Sequence, residues 1–279
     1  MRLFVLGNGQ RPGVPEEAAR LLPLLRSLAD VVVFDLEQQA DLSKHEADMA
    51  LVLGGDGAIL RAARQMGYQQ RPTLGLNLGK LGFLAELSLE EAPEILPRLL
   101  SQPLRATRHL MYECEVVRSS GRKTLLGLNE IVVYADPPLN LIEIDLTIDD
   151  EPVSTFSGDG LIISTPIGST AHNLSAGGPI LRQDLPAFVI TPLCAHTLTY
   201  RPLVESAGRT FHVSLHRGTR AALLIVDGQE RLLLGPDDRI TLRSAPVEFQ
   251  LVCVTGSGYY RRLREKLRWG EPPSYRERK

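Results

Sequence analysis

The first hundred residues of the chain alternate short apolar runs with segments of helical periodicity. Runs of strand length, rich in aliphatic residues, occupy positions 3–6, 31–34, 50–53 and 73–76. Apolar residues recur at helical spacing over positions 16–28, 58–66 and 89–100. Short strands that alternate with helices are typical of a parallel sheet covered by helices. We therefore predict an α/β domain with a Rossmann-like parallel sheet over residues 1–103.

The pattern changes after residue 103. Short runs with strand character occur at 113–118, 125–134, 141–148, 210–216, 221–226, 231–234 and 240–242. Glycines and acidic turns separate them, which indicates antiparallel hairpins. We predict an all-β domain over residues 104–245. In the remaining segment, 246–279, a helix is expected over 259–269 and a frayed polar end from 271.

Composition excludes several classes of partner. The length of 279 residues suggests about two domains. A formal net charge of −2 argues against a nucleic-acid partner. Cys114, Cys194 and Cys253 form no CxxC pair, and the N-terminal apolar run is too short for a signal peptide, so we expect a cytoplasmic protein with reduced thiols. The uncharged stretches 161–181 and 185–200 contain prolines and polar groups that lipid disfavours. They predict a buried, loop-rich site and no membrane partner.

A glycine-rich tetrapeptide follows one of the apolar runs and precedes a helix. In Gly54-Gly55-Asp56-Gly57 the glycines let backbone amides approach phosphate oxygens, and the helix N-terminus favours negative charge. Asp56 would then act as a general base or through a metal ion. Arg61, one turn later, could reach a phosphate. The alternatives are a tight turn in which Asp56 caps the helix and an Arg61 that is merely solvated.

Two further segments carry polar groups suited to a nucleotide. Asn129-Glu130 opens an apolar run, and an amide beside a carboxylate can bind a base edge and a ribose diol. An ordinary strand start is the alternative. A long loop rich in glycine and hydroxyls follows Asp159, and its segment 170–175 offers small side chains and one ring to a flat ligand. The alternative there is a helix-start loop whose polar groups are satisfied internally.

In their order and spacing these motifs resemble the NAD kinase family from about residue 48 to 230. The matching residues are Gly54-Gly55-Asp56-Gly57, Asn129-Glu130, 159–166, 168–171, 173–179, His196-Thr197-Leu198, Arg201-Pro202-Leu203 and Asp227-Gly228-Gln229. The resemblance implies phosphorylation of the 2′-hydroxyl of the adenosine ribose of NAD by ATP or polyphosphate, giving NADP, with Mg²⁺ at the triphosphate. It also implies an α/β N-terminal domain, an all-β C-terminal domain and a final segment that packs on the first.

The resemblance also implies roles for single residues. Asp56 would be the catalytic acid/base, with Gly57 lining the same site and Gly54 and Gly55 in the phosphate loop. Asn129 and Glu130 would hold adenosine and ribose. Asp159 would contact the nicotinamide end, and Gln229 the second nucleotide region. The residues that would border a base are Thr170, Ala171, His172, Asn173, Leu174 and Ser175. Family members form homodimers or homotetramers with shared sites.

This sequence departs from the family pattern at three positions. Ala58 stands where a threonine is common, His172 where a tyrosine is common, and Ser157 where some members have arginine. The catalytic aspartate is intact, so these departures bear on nucleotide preference and affinity and not on activity itself. Two other functions stay open: a lipid or sugar kinase of the related group that shares the glycine motif, and a non-catalytic NAD(P)-binding regulator. The nucleobase slot and Asp56 argue against them.

Overall fold

The computed structural model describes residues 1–79, 82–136, 141–254 and 259–268. The chain divides into two compact units. The first comprises 1–66, 71–107 and 250–279, and the second comprises 67–70 and 108–249. Both units are therefore discontinuous in sequence. The end of the predicted C-terminal helix at Trp269 and the polar tail lie outside the described residues.

The first unit contains a parallel sheet. Its elements are β1 (Arg2–Gly7), α1 (Val14–Leu28), β2 (Asp30–Asp35), β3 (Met49–Leu53), α2 (Asp56–Met66), β4 (Thr73–Asn77), β5 (Leu87–Ser88) and α3 (Ala92–Leu100). The strand order is β4-β3-β1-β2, with every neighbouring pair parallel, and β5 pairs with β4. Strands β3 and β4 are buried along their whole length, as expected of parallel strands that are covered on both faces.

The second unit is built from antiparallel strands. Its elements are β6 (Ala106–Arg118), β7 (Gly121–Gly127), β8 (Glu130–Ala135), β9 (Ile142–Ile148), β10 (Glu151–Gly158), β11 (Gly160–Ser164), α4 (His172–Ser175), β12 (Ala187–Leu193), β13 (Leu203–Ser206), β14 (Phe211–Leu215), β15 (Ala222–Val226), β16 (Glu230–Leu234) and β17 (Arg239–Val252). Six strands form a sheet of order β13-β12-β11-β8-β15-β16, and β10-β9-β14-β17 form a second ladder. Burial alternates along β9, and Phe188 and Phe211 are fully buried in the core of this unit. One apolar face per strand is typical of antiparallel layers.

Two long strands each belong to both units. Strand β6 starts in the first unit and continues into the second, whereas β17 runs from the second unit into the first. There Leu251 pairs in parallel with Thr73 of β4. Helix α5 (Tyr259–Leu267) belongs to the first unit. The α/β and all-β folds and the helix near 259 are confirmed. The domain limits at 103 and 245 stay a prediction.

The structure corrects two details of the sequence analysis. The run 125–134 was expected as one strand, but β7 ends at Gly127 and β8 begins at Glu130. Strand β7 pairs with β6, whereas β8 enters the six-stranded sheet, so the chain must change ladders between them. The run 185–200 was expected as loop, but it contains β12, whose residues 188–191 are buried. In the described part of the chain, no helix is long and apolar enough to cross a membrane.

Candidate active site

The glycine-rich turn lies at the carboxyl end of β3. Gly54 has φ of 141°, and a Cβ on it would lie 2.7 Å from the Cβ of Ala58. Helix α2 begins at Asp56, and the amide of Ala58 donates to the carbonyl of Gly55 at 2.9 Å. Gly55 is half-buried and Gly57 is exposed. The turn therefore presents glycine backbone at a helix N-terminus, where phosphate groups bind readily.

The carboxylate of Asp56 is held by a segment further along the chain. It accepts three backbone N–H bonds, which come from Phe83, Leu84 and Ala85 at 2.8, 3.0 and 3.2 Å. A Cβ on Gly82 would lie 1.9 Å from Asp56 Oδ1, so this approach requires glycine. These bonds do not match the alternative in which Asp56 caps the helix, because its carboxylate bonds to the 83–85 segment.

Arg61 lines a cavity of about 500 Å³ in the first unit. The rest of the lining comes from the ends of β1 and β2 and from the start of α1: Asn8, Gly9, Gln10, Pro15, Leu36, Glu37, Gln38 and Gln39. Arg61 Nε is buried and has no hydrogen-bond partner among the described residues. A buried, unpaired guanidinium N–H is costly. The cavity thus offers a cationic donor at the carboxyl ends of two parallel strands, where open α/β sheets bind ligands.

In the second unit, one buried carboxylate holds the Asn129-Glu130 segment. Asp227 accepts backbone N–H bonds from Leu128, Asn129 and Glu130 at 2.8, 2.8 and 3.1 Å. It lies in the turn between β15 and β16 with φ of 50°. Asn129 Oδ1 and Glu130 Oε2 are buried and have no hydrogen-bond partner among the described residues. Unsatisfied buried oxygens are costly, so these two atoms are candidates for ligand binding.

Tyr112 completes this cluster. Its hydroxyl lies 2.6 Å from the carbonyl oxygen of Glu130 and 2.9 Å from Asp227 Oδ1, so its single proton faces two acceptors. The ring is fully buried, and Gly127 makes room for it, since a Cβ there would lie 2.2 Å from Tyr112 Cζ. Burial and the charge of Asp227 raise the pKa of Tyr112 well above its usual value. The hydroxyl therefore remains a donor at physiological pH.

Burial changes the protonation of the two carboxyl groups. It raises the pKa of Glu130 to about 8, and the neighbouring charge of Asp227 adds to that rise. Burial also raises the pKa of Asp227, but four donors oppose the effect there by bonding to its oxygens. The proton of the pair therefore belongs on Glu130. A neutral Glu130 carboxyl group can donate one hydrogen bond as well as accept.

The loop after β11 approaches the same place. Thr165 donates its amide to the carbonyl of Asn129 at 2.8 Å and its hydroxyl to that of Leu128 at 2.6 Å. A Cβ on Gly168 would lie 2.2 Å from the carbonyl oxygen of Asn129. Strand β15 pairs with β8 so that Val226 faces Ile131. The structure therefore brings together the Asn129-Glu130 segment, the start of the loop and the turn that contains Gln229.

Residues 170–175 occupy different environments. A 3-10 turn, Gly168–Thr170, precedes α4. His172 and Ser175 are exposed, and Thr170, Ala171 and Leu174 are half-buried. The side chain of Asn173 is fully buried. Its amide donates to the carbonyls of Ser169 and Pro179 at 3.0 Å each and accepts from Thr191 Oγ1 at 2.7 Å. The side chain of Asn173 therefore holds the loop together, and its expected contact with a ligand stays a prediction.

Asp159 is not brought to this cluster. It precedes Gly160 at the start of β11, whereas Ser164 and the loop lie at the other end of that strand. A five-residue strand extends over about 13 Å at the usual rise per residue. Asp159 instead bonds to Cys194, which raises the pKa of that thiol. Gln229 is half-buried, and its backbone N–H donates to the carbonyl of Val226 at 3.0 Å.

Sequence reasoning missed several supporting residues. Tyr112 lies in a strand with no motif, and Gly82 lies in a segment without regular secondary structure. Asp227 belongs to a matched motif but received no role, although an aspartate before glycine at a hairpin turn was a usable signal. Asn8 and Gly9 follow a strand, which places them where an α/β sheet binds ligands. For Tyr112 no local signal exists.

Comparison with known proteins decides the family. The family model described as the ATP-NAD kinase N-terminal domain matches residues 15–103, and that of the ATP-NAD kinase C-terminal domain matches residues 128–254. A NAD kinase from Rhodopirellula baltica is 43% identical over 269 residues, which cover 96% of this chain and 86% of that protein. The chain belongs to the NAD kinase family. A NAD kinase from Geotalea daltonii is 36% identical over 271 residues, which cover 93% of this chain and 94% of that protein.

Solved structures of NAD kinases share this fold. An NAD kinase from Archaeoglobus fulgidus in complex with ATP has a TM-score of 0.79 and 26% identity, covering 96% of this chain and 99% of that chain. Yeast NADH kinase complexed with NADH has a TM-score of 0.85 and 23% identity, covering 100% of this chain and 90% of that chain. Family membership makes the chain a kinase and decides against the lipid-kinase, sugar-kinase and non-catalytic alternatives.

Proposed function

We propose that this member of the NAD kinase family transfers the γ-phosphoryl group of ATP to the 2′-hydroxyl of the adenosine ribose of NAD, giving NADP. The observation that carries the proposal is a pair of buried oxygens, Asn129 Oδ1 and Glu130 Oε2, that have no hydrogen-bond partner in the described part of the chain. An amide oxygen can accept from the exocyclic amine of adenine, and a carboxyl group can bond to a ribose hydroxyl. Thr170, Ala171, His172, Leu174, Ser175 and Gln229 would border the nucleotide.

Asp56 is proposed as the general base. Among the described residues, Oδ1 accepts bonds from Leu84 and Ala85, whereas Oδ2 accepts one, from Phe83, and so keeps a lone pair for a substrate hydroxyl. In the proposed step Oδ2 takes the proton of the 2′-hydroxyl. The ribose oxygen bonds to the γ-phosphorus, and the bond between that phosphorus and the bridging oxygen of ADP breaks.

The donor triphosphate is assigned to the glycine turn and the cavity beside it. The backbone of the glycine turn and Arg61 Nε, which has no hydrogen-bond partner among the described residues, would bind phosphate oxygens. Mg²⁺ fits this site, because it is usually bound by one or two carboxylates together with substrate phosphates and water. Glu37, in the lining of the cavity, is a carboxylate available to it, whereas the lone pair left on Asp56 Oδ2 is assigned to the substrate hydroxyl. In the described ranges no cluster of three His, Cys, Asp or Glu side chains could hold a metal alone. When bound, the ion would neutralise triphosphate charge.

The proposed assembly is a homodimer or homotetramer in the cytoplasm. Asp159 lies at the far end of β11 from the Asn129-Glu130 segment, which supports a site that a second copy completes with its own Asp159. Cys114, Cys194 and Cys253 are free thiols, as in a reducing compartment. Mixing an Asp56→Asn variant with an Asp159→Asn variant would test the shared site. Partial recovery of activity in the mixed oligomer is expected, and no recovery would contradict sharing.

The activity itself is tested with purified protein, NAD and Mg²⁺, with ATP or polyphosphate as donor and NADP as the measured product. Asp56→Asn should lower kcat by about 10²–10⁴-fold while NAD still binds, because general-base catalysis contributes that much. The matched control is Asp30→Asn, an exposed carboxylate at the start of β2, which should leave kcat unchanged. Near-normal turnover in Asp56→Asn would remove the base assignment, and absence of NADP with both donors would overturn the proposed function.

A further inference from the structure

The segment that holds Asp56 is itself held by helix α5. Phe83, Leu84 and Ala85 donate their amides to Asp56, and the next residue is Glu86. Glu86 forms an ion pair with Arg262, which lies in the first turn of α5. The side chains are 4% and 10% exposed, so the pair is almost entirely removed from water.

A second contact fixes the other oxygen of the same carboxylate. The amide of Val254, just past β17, donates to Glu86 Oε2 at 3.4 Å, whereas Arg262 bonds to Oε1. Val254 and helix α5, from the two described parts of the chain after β17, therefore both bond to the side chain of Glu86. Residues 83–86 are tied to Asp56 through their amides and to the C-terminal part of the chain through Glu86.

Stability alone is a weak reason for such a pair. Removing two charges from water costs several kcal/mol per ion, and well-packed apolar residues often stabilise a fold as much or more. A guanidinium bonded to a carboxylate does, however, define direction and distance, which apolar packing does not. Here the ion pair fixes the position of the backbone whose amides orient Asp56.

We propose that Arg262 is a positioning residue for the reaction. Through Glu86 it sets residues 83–85, and their amides set the carboxylate of Asp56 in the orientation that a substrate hydroxyl requires. Arg262 acts only through these residues. The inference rests on the proposed role of Asp56, and the experiment separates the two.

The test uses Arg262→Met in the full chain, with Arg261→Met as the matched control. Arg261 is the adjacent residue of α5 and forms an exposed i,i+4 pair with Glu265, so its loss removes a similar charge without touching Glu86. A third variant, Glu86→Gln with Arg262→Met, removes both charges and avoids an unpaired buried carboxylate. Three quantities are measured: kcat, KM for NAD and ATP, and hydrogen–deuterium exchange of the backbone amides at 83–85.

Arg262→Met and the double variant should lower kcat by about 10- to 100-fold with KM for both substrates unchanged, because a small displacement of a catalytic group costs this much. Exchange of the 83–85 amides should rise in both variants and stay unchanged in Arg261→Met. Wild-type exchange and kcat in the folded double variant would overturn the proposal. If Asp56→Asn keeps its activity while exchange still rises, the coupling stands and the base role fails. If Arg262→Met does not fold, the double variant decides alone, and its failure to fold would assign the pair to stability.

Discussion

The hydroxyl of Tyr112 lies 2.9 Å from Oδ1 of Asp227, and both residues are buried within the second unit. Asp227 in turn accepts the amides of residues 128–130. One phenol and one carboxylate therefore set the backbone from which Asn129 and Glu130 extend. Because these bonds carry charge and are shielded from water, their loss affects both stability and the nucleotide site.

Tyr112→Phe should destabilise the protein and weaken NAD binding. The change removes the one hydroxyl proton that faces both Asp227 and the carbonyl of Glu130, and the loss of this donor costs about 1–3 kcal/mol for a buried acceptor. The measurement is urea denaturation together with KM for NAD. The control is Tyr68→Phe, whose hydroxyl bonds to Glu113 from a ring that is 52% exposed. Equal losses in the two variants would contradict the prediction.

Glu130→Gln should change how stability depends on pH. The pKa of Glu130 is about 8 in the folded protein and near 4.5 when unfolded, so between these values the folded state binds the extra proton. The free energy of unfolding therefore falls as pH rises through this range, by up to about 1.4 kcal/mol per pH unit, because the folded state loses the stabilisation that this proton provides. Glutamine has no such proton. Denaturation at pH 6, 7 and 8 should show that the free energy of unfolding of the variant rises relative to that of wild type as pH rises. Parallel profiles for the two proteins would refute this.

Gly82→Ala should impair catalysis more than folding. The new Cβ would lie 1.9 Å from Asp56 Oδ1, so the carboxylate or the 83–85 segment must move. A displacement of this kind lowers kcat by on the order of 10²-fold. The control is Gly79→Ala, where a Cβ would meet nothing within 4 Å. Steady-state kinetics on both variants provide the test, and an unchanged kcat in Gly82→Ala would show that the position of Asp56 is not critical.

His172→Tyr should tighten NAD binding modestly. His172 is exposed at the start of α4, so a larger ring there can meet a ligand without disturbing the core. The expected gain is about 0.5–1.5 kcal/mol, the scale of an aromatic pair. Isothermal titration with NAD measures it, and His45→Tyr, at an exposed histidine of the first unit, is the control. Identical affinities for His172→Tyr and wild type would remove His172 from the site.

The sequence determined the local elements and the positions of the chemical groups. Strands β1, β3 and β4 and helix α2 follow from apolar runs and helical spacing, because that periodicity directly reports which face of an element is buried. The glycine turn was assigned to the carboxyl end of a strand for the same reason. The strand break at 128–129 did not follow, since what interrupts the run there is a carboxylate about a hundred residues away in sequence.

Only the tertiary structure decided which groups hold the reactive ones. The amides that bind Asp56 come from 83–85, the carboxylate that binds 128–130 is Asp227, and Arg262 reaches Glu86 from the last described helix. It also decided that Asn173 serves the loop and that Asp159 lies away from Glu130. Periodicity and composition carry no record of these contacts, because hydrogen bonds between distant residues depend on how the strands are ordered in the sheets and not on the neighbours of each residue in the chain.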